Sequence, residues 1–389
     1  MLRKFSCISL AFTIIVILFL AGCGGGGGVA GDKTGLTAPT DMHNAWTWMS
    51  GSNTFNQKSI YGTQGIAAAG NIPGGRVGGV SWLDGKGNHW LFGGPGYDST
   101  ATVGDLNDLW KFDGSNWTWV SGSNVVNQKG IYGTKYNSAV GNAPGGRYGA
   151  VGWIDSSGKL WLFGGQGEDS AGSSGQLNDL WKFDGSTWTW VSGSDIVYQK
   201  GIYGTQGAAF AGNTPGARGF GISWFDSSGN LWLFGGLGYD STATVGDLND
   251  LWKFDGSNWT WVGGSNIVNQ KGIYGTQGVV AAGNIPGARG AAVSWIDSSG
   301  NHWIFGGAGY DSAGTTGLLN DLWKFDGSNW IWVGGSNIVN QSGVYGTQGT
   351  AAAGNIPGGR YLGVSWSDGF LFGGTTGTTY FNDLWRYQP

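Results

Sequence analysis

Short apolar runs, many of them aromatic, alternate along this chain with clusters of Gly, Asp, Asn and Ser. One stretch shows the whole pattern, with apolar runs at residues 147–153, 160–163, 180–183 and 188–191, each bounded by such a cluster. Runs of this length between turn-forming residues predict β-strands. Each stretch of this kind therefore predicts four short strands and no helix.

The four-strand stretch is a tandem repeat. Residues 107–120 read Asn-Asp-Leu-Trp-Lys-Phe-Asp-Gly-Ser-Asn-Trp-Thr-Trp-Val, and they return nearly unchanged from Asn178, Asn249 and Asn320 and in part from Asn382, at steps of 71, 71, 71 and 62 residues. A fixed period indicates stacked structural units. Four short strands per unit are typical of the blade of a β-propeller. The prediction is an all-β fold, a single ring of five blades.

Glycine doublets and spaced aromatic residues give the repeat a family resemblance. An apolar run ends in Gly-Gly at residues 93, 164, 235, 306 and 373, and six residues separate Trp110 from Trp117, as in the next three repeats. On these residues, positions 45–389 resemble a kelch-repeat propeller, the architecture that galactose oxidase also has. The period of 71 residues exceeds the usual value of about 50, the first aromatic is Trp rather than Tyr, and five repeats are few for kelch.

The ends of the array predict how the ring closes. The chain opens on an isolated fourth strand at residues 46–49 and stops just after a third strand at residues 384–387. Together they would complete the last blade, with Trp46 and Trp385 as the missing aromatic pair. Closure removes exposed strand edges. The alternative is an open or larger ring that another copy completes.

The N-terminus resembles a bacterial lipoprotein signal. Arg3 and Lys4 precede an apolar run that ends in Leu20-Ala21-Gly22-Cys23. The resemblance implies a signal peptide at residues 1–22, lipidation of Cys23 and a Gly-rich tether at residues 23–44, before the propeller at 45–389. An ordinary cleaved signal peptide or a membrane anchor is the alternative. We expect an exported protein, lipid-anchored to the bacterial outer membrane or the cell surface.

Charge and cysteine content exclude several functions. Only 11% of the residues are charged, and without the signal peptide the net charge falls from −4 to −6, which does not suit nucleic acid. The one cysteine besides Cys23 is Cys7, inside the signal peptide. The mature domain therefore has no thiol for a disulfide, and the Cys-linked tyrosine of the copper oxidase resemblance is impossible. Copper galactose-oxidase activity is not expected.

Loop lengths distinguish the two faces of the predicted ring. Short turns join the first strand to the second and the third to the fourth. Long loops, such as residues 96–105 and 121–146, make the other connections. Because neighbouring strands alternate in direction, the long loops share one face, which we name the long-loop face. Loops held on a rigid scaffold often carry binding sites.

Two sets of repeated residues are candidates for binding on that face. An arginine starts the innermost strand of every repeat, and its planar guanidinium suits carboxylate or phosphate capture. The alternative is an arginine bound to a neighbouring Asp or to loop carbonyls in every blade. A tyrosine opens a Tyr-Gly-Thr motif in every long loop, and it either folds the loop onto the blade or faces a ligand. The candidate binding residues are Arg76, Arg147, Arg218, Arg289, Arg360, Tyr61, Tyr132, Tyr203, Tyr274 and Tyr345.

Aspartates and the remaining aromatic residues complete the set of candidates. Asp98, Asp105, Asp240 and Asp247 lie in hydroxyl-rich loops that suit calcium, but no twelve-residue calcium loop is present. No catalytic residue, metal site or cofactor is predicted, with calcium as a weaker alternative. The 24 tryptophans fall into repeating strand positions and are expected in the core.

These patterns favour a non-catalytic binding or scaffold propeller, anchored at the envelope. Its partner is expected to be a protein, peptide or glycan on the long-loop face, with no nucleic acid and with the membrane contacted only through the lipid. We expect a monomer. The alternatives are a carbohydrate-active enzyme that uses loop aspartates such as Asp98 or Asp240, and a surface adhesin whose repetition supplies avidity.

Overall fold

A computed structural model describes residues 47–366 and 369–388. The chain divides into Met1–Gly51 and a compact unit, Ser52–Pro389. The predicted signal peptide, Cys23 and the tether lie outside the described residues. Every regular element that the structure describes is a β-strand, which confirms the predicted fold class.

The unit Ser52–Pro389 is a five-bladed β-propeller made of five antiparallel sheets in a ring. Blades 1 and 2 contain β1 (Val80–Leu83), β2 (His89–Tyr97), β3 (Val103–Phe112), β4 (Trp117–Ser121), then β5 (Arg147–Tyr148), β6 (Val151–Ile154), β7 (Leu160–Glu168), β8 (Ser174–Phe183) and β9 (Trp188–Ser192). Blades 3 and 4 contain β10 (Arg218–Gly219), β11 (Ile222–Phe225), β12 (Leu231–Tyr239), β13 (Val245–Phe254), β14 (Trp259–Gly263), then β15 (Arg289–Gly290), β16 (Val293–Ile296), β17 (His302–Tyr310), β18 (Thr316–Phe325) and β19 (Trp330–Gly334). Blade 5 contains β20 (Val364–Ser365), β21 (Phe370–Phe372) and β22 (Leu384–Arg386).

The core lies between neighbouring blades. Trp181, Phe183 and Trp188 of blade 2 pack against Trp90 and Phe92 of blade 1, and equivalent clusters join blade 2 to 3, 3 to 4 and 4 to 5. Aromatic strand residues thus bury their rings against the next sheet, as expected for most of the tryptophans. The large aromatic area buried in this way is the main source of stability in the ring.

The second and third strands are longer than the sequence predicted. The glycine doublet that was expected to end the second strand is instead a β-bulge: Gly93 and Gly94 have φ of 64° and 88°, and the register shifts between Phe92 and Gly94. Because only glycine adopts such φ values without steric cost, the strand bends and continues to Tyr97. The predicted loop 96–105 shrinks to residues 98–102.

The long connections between blades also differ from the prediction. Rather than remaining on one face, each folds against the outer strand of the next blade: the backbone N–H of Tyr136 donates to the carbonyl of Trp190 at 2.8 Å, and that of Gly65 donates to Trp119 at 2.8 Å. The same bond forms from Gly207 and Gly278. The outer edges of blades 1 to 4 are thereby covered, which protects them from pairing with other chains.

Blade 5 has a smaller described sheet than the other blades. Its described sheet has three strands, β20, β21 and β22, all from the C-terminal part of the chain. Thr47–Met49 form no strand in the structure, and Trp46 lies outside the described residues. That residues 46–49 complete this blade stays a prediction.

Candidate functional site

The repeated arginines are buried in ion pairs. Arg218 donates from both terminal nitrogens to Asp250, at 2.6 and 2.7 Å. Its Nε and Nη1 also donate to the carbonyls of Gly216 and Gly235, each at 3.0 Å. The side chain is 1% exposed. The same two-pronged pair forms in the other four blades, between Arg76 and Asp108, Arg147 and Asp179, Arg289 and Asp321, and Arg360 and Asp383.

The repeated loop tyrosines belong to the same network. Tyr203 donates its hydroxyl to Asp250 at 2.6 Å, and Trp252 donates its indole N–H to the same oxygen at 2.7 Å. Burial and the charge of Asp250 raise the pKa of Tyr203, so the hydroxyl stays protonated. The bond recurs from Tyr61, Tyr132, Tyr274 and Tyr345 to the corresponding aspartates.

These contacts decide what the ten candidate residues do. All five arginines are bound to Asp and to loop carbonyls, which is the alternative that the sequence left open. Four of the five tyrosines are 5% exposed, and Tyr345 is 52% exposed. Each guanidinium is buried and paired with a carboxylate, so its contacts in the structure are structural ones, and ligand binding by these residues stays a prediction. Each network ties a long loop to its blade.

The loop aspartates are structural caps. The Asp240 carboxylate accepts the backbone N–H groups of Thr242, Thr244 and Val268 at 2.8, 2.9 and 3.1 Å, and it is 1% exposed. These bonds lower the pKa of Asp240, although burial acts in the opposite direction. Asp98 makes the equivalent bonds. Both carboxylates therefore hold the conformation of their loops, and the carbohydrate-active enzyme remains an untested alternative.

The blades share most of their strand residues, and one line of residues across each sheet is among the positions that differ. In each sheet, one residue of the innermost strand lies opposite a residue of the second strand, and that residue lies opposite one at the start of the third strand. These triplets, which we call the variable row, differ in every blade. They are Val77, Pro95 and Asp105; Tyr148, Gln166 and Gln176; Gly219, Leu237 and Asp247; Gly290, Ala308 and Leu318; and Tyr361, Thr375 and Tyr380.

The adjacent row shows that this variation is local. It reads Arg, Gly, Gly in each of the first four blades, as in Arg147, Gly167 and Gly175. A side chain on those glycines would meet backbone or side-chain atoms: a Cβ on Gly167 would lie 2.4 Å from the Arg147 Cβ. Packing fixes that row, whereas the variable row next to it accepts very different side chains.

Between blades 1 and 2, the variable row brings acidic groups beside an aromatic ring. Burial and the nearby charge of Glu168 raise the pKa of Asp105 to about 6. Burial and the charge of Asp169 raise the pKa of Glu168, and burial together with Asp105 raises the pKa of Tyr148. An approaching positive charge would relieve this repulsion, so the junction favours a cation or a hydrogen-bond donor.

A related junction lies between blades 3 and 4. Burial raises the pKa of Asp247 to about 7, and one of its carboxylate oxygens is buried without a hydrogen-bond partner. The charge of Asp247, after burial, raises the pKa of Tyr310. A buried carboxylate with an unsatisfied oxygen costs stability, which is a common property of functional sites.

Strained residues lie beside the variable row. Phe220 has φ of 59°, where Gly149 in the preceding blade has 61°. The N–H of Phe220 donates to the Gly149 carbonyl at 2.8 Å, and that of Ala291 donates to Phe220 at 2.9 Å, which links successive inner strands. The Phe220 ring centre lies 6.1 Å from that of Tyr148. A phenylalanine in a conformation suited to glycine is a strained placement of an aromatic ring beside the acidic junction.

Sequence reasoning missed this site because it looked for repetition. Asp105 and Asp247 were predicted to lie in loops, and the repeated positions gave no reason to single out Glu168. A comparison of the repeats position by position would have found the variable row. Within the described ranges, no three His, Cys, Asp or Glu side chains come together to hold a metal ion. No helix in the described part has the length and apolar character needed to cross a bilayer.

Comparisons with known proteins give similar solved structures but no family. No family model matches the sequence, and no curated protein matches it. The chain is similar to the solved structure of YjhT, at 17% identity and a TM-score of 0.47, over 81% of this chain and 82% of that one. A copper-bound fungal alcohol oxidase of the AA5 family is similar at 15% identity and a TM-score of 0.37, over 79% of this chain and 60% of the oxidase. A protein of unknown function from Dyadobacter fermentans is similar at 11% identity and a TM-score of 0.37, over 70% of this chain and 71% of that one.

Proposed function

We propose that this protein is a non-catalytic binding or scaffold propeller whose ligand contacts the variable row on the long-loop face. The variation itself carries the proposal. The blades pack against one another through largely the same residues. The variable row differs between them, and it is partly exposed at Asp105, Tyr148 and Asp247. Differences that packing does not require are available for recognising a ligand that is itself asymmetric.

The chemistry of the row indicates the kind of ligand. Asp105 and Glu168 supply carboxylates whose pKa values are raised, and Tyr148 and Phe220 supply aromatic rings beside them. Such a surface suits a group that carries positive charge or hydroxyl donors and also an apolar face. A basic segment of a protein, or a glycan, has these properties. An anionic ligand is less favoured by this proposal, because the repeated arginines are already paired with aspartates.

Export and lipid anchoring belong to the same proposal. The lipobox-like Leu20-Ala21-Gly22-Cys23 supports attachment of the propeller to the outer membrane or cell surface through Cys23. Labelling of producing cells with a radioactive fatty acid tests the anchor. The protein should take up label, and a Cys23→Ala variant should not. Uptake by the variant would end the lipoprotein proposal.

Binding is tested by capture from envelope extract on the immobilised protein. An Asp105→Gln/Glu168→Gln variant should retain at least tenfold less ligand than the parent. Asp195→Asn is the matched control, since it also removes a carboxylate and since blades 1, 3 and 4 carry Asn at this position. Equal capture by the parent and the double variant would refute the proposal. Protease treatment and periodate oxidation of the extract then distinguish a protein ligand from a glycan.

A further inference from the structure

Asp247 occupies a position from which the equivalent residue of blade 2 reaches the next blade. Gln176 holds this position in blade 2, and its side-chain N–H donates to the carbonyl of Leu237 in blade 3 at 3.2 Å. The third-strand member of the variable row therefore faces the second strand of the following blade. By the same geometry, Asp247 faces Ala308 of blade 4, which is the equivalent of Leu237.

The carboxylate of Asp247 brings no donor to that place. An aspartate is one methylene shorter than a glutamine and, when ionised, has only acceptors. One of its carboxylate oxygens is buried without a hydrogen-bond partner. Asn269 holds the backbone of Asp247, because its side-chain oxygen accepts the Asp247 N–H at 3.0 Å and its own N–H donates to the Asp247 carbonyl at 2.7 Å. The carboxylate is thus fixed in position with an unused acceptor.

Gly290 leaves the neighbouring place in this junction unoccupied. It is the innermost member of the variable row in blade 4, where blade 2 carries Tyr148. The charge of Asp105 acts on Tyr148, so the two equivalent positions are adjacent. A Cβ on Gly290 would lie 3.6 Å from its nearest atoms, the Leu237 nitrogen and the Phe220 oxygen, and its φ lies outside the left-handed region. Neither packing nor backbone conformation therefore requires glycine here.

We propose that the junction of Asp247, Gly290 and Tyr310 binds a primary ammonium group, such as that of a lysine side chain. This inference rests on the proposed function, and it names the chemical group of the ligand that one junction of the variable row recognises. The ammonium takes the place of the Gln176 side-chain N–H, between the Asp247 carboxylate and the Ala308 carbonyl, with the Tyr310 hydroxyl beside them. Its three N–H donors match these three acceptors. One carboxylate supplies too few oxygens for calcium.

Binding of Nα-acetyl-lysine amide to the full chain in detergent, measured by saturation-transfer NMR, tests the site. Nα-acetyl-norleucine amide is the matched control ligand, since it keeps the aliphatic chain and lacks the ammonium. All measurements use an Asp105→Gln/Glu168→Gln background, so that the acidic groups between blades 1 and 2 do not contribute. In this background, the lysine amide should bind at least tenfold more tightly than the norleucine amide.

Two substitutions taken from blade 2 separate the carboxylate from the space beside it. Asp247→Gln introduces the residue found at Gln176, whose amide supplies its own donor to the Ala308 carbonyl. Gly290→Tyr introduces the residue found at Tyr148 and fills the space without a change of charge. Each should weaken binding of the lysine amide at least tenfold. Asp195→Asn removes a carboxylate outside the variable row and should leave the binding unchanged.

The pH dependence gives a readout that a purely structural carboxylate would not produce. Burial raises the pKa of Asp247 to about 7, while the pKa of Tyr310 is raised above its usual value, so that the phenol stays protonated. The ammonium of lysine stays charged up to about pH 10. Binding should therefore strengthen about tenfold between about pH 6 and pH 8, as Asp247 ionises.

Three results overturn the inference: equal affinity for the lysine and norleucine amides, full retention of binding in Asp247→Gln, and full retention in Gly290→Tyr. The proposed function survives each of them, because it is tested by capture from envelope extract at Asp105 and Glu168. Conversely, lysine-amide binding that both substitutions abolish supports the inference even where the Asp105→Gln/Glu168→Gln variant captures as much ligand from the extract as the parent.

Discussion

Replacing Arg218 by Ala tests whether the repeated ion pairs hold the blades together. Asp250 accepts two bonds from Arg218 and one each from Tyr203 and Trp252, all between 2.6 and 2.7 Å. The carboxylate is 0% exposed. Truncation of the arginine leaves Asp250 buried with half of its donors and no opposing charge, while the Gly235 carbonyl also loses its donor.

The structure sets the size of the effect. Breaking a buried pair by removing one partner typically costs about 3–5 kcal/mol, since the remaining charge is left uncompensated. Total stability of a folded domain is about 5–15 kcal/mol. Arg218→Ala should therefore remove about a fifth or more of the stability of the ring. The same change at three arginines together would unfold the protein, so a loss of ligand binding in such a variant would report on folding.

Urea unfolding followed by tryptophan fluorescence measures the loss. Lys253→Ala is the matched control: Lys253 is a cation on the same strand as Asp250, and its ammonium lies 5.8 Å from the Trp232 ring centre. The control should cost at most about 1 kcal/mol, because it strands no buried charge. A loss below about 1 kcal/mol for Arg218→Ala, comparable to an exposed pair, would refute the reasoning.

Three further predictions concern pH, each checked by urea unfolding across a pH series. Burial opposes ionisation of Asp383, but hydrogen bonds from Arg360, Trp385 and Tyr345 hold its pKa at about 2, below the usual 3.8. Asp383→Asn should therefore cost stability at neutral pH and progressively less as the pH falls through about 2. A cost that does not change with pH contradicts this prediction. Burial lowers the pKa of His302 to about 3, and neither ring nitrogen has a hydrogen-bond partner. His302→Leu introduces the residue that blade 3 carries at Leu231, and it should stabilise the fold increasingly as the pH falls below about 6.5. A variant that is less stable than the parent below about pH 6.5 contradicts this prediction. Burial raises the pKa of Asp247 to about 7. Asp247→Leu introduces the residue that blade 4 carries at Leu318, and the stability it adds to the fold should grow as the pH rises from about 4 to 7. A stability difference that does not depend on pH contradicts this prediction.

Much of the fold follows from the repeat. The strand runs and their period predicted five blades, because each blade packs equivalent aromatic residues against its neighbour. The length of the strands did not follow. A glycine doublet ends a strand as readily as it bends one, and only the positive φ of Gly93 and Gly94 shows that the strand continues.

The role of the repeated arginines could not be read from their spacing. Arg218 and Asp250 both recur at a step of 71, as do Tyr203 and Trp252. In a strict repeat every residue is in phase with every other, so the period cannot say which of them meet. Their contact joins residues 32 apart in sequence, through the bulged hairpin between the second and third strands.

Because all repeated residues share one period, the positions that differ between blades, rather than those that repeat, indicate the candidate site. A residue that maintains a blade faces equivalent neighbours in each repeat and is held to the same type, as with Arg147, which recurs in all five blades, and Gly167 and Gly175, which recur in the first four. At the next row along the strands that constraint is absent, and Val77, Tyr148 and Gly219 occupy equivalent places. If a ligand sits across the long-loop face, as proposed, it would meet five different triplets and could bind in only one orientation. Exchange of Asp105 for Gln should therefore weaken capture of that ligand while leaving the ring intact, which urea unfolding of the variant checks.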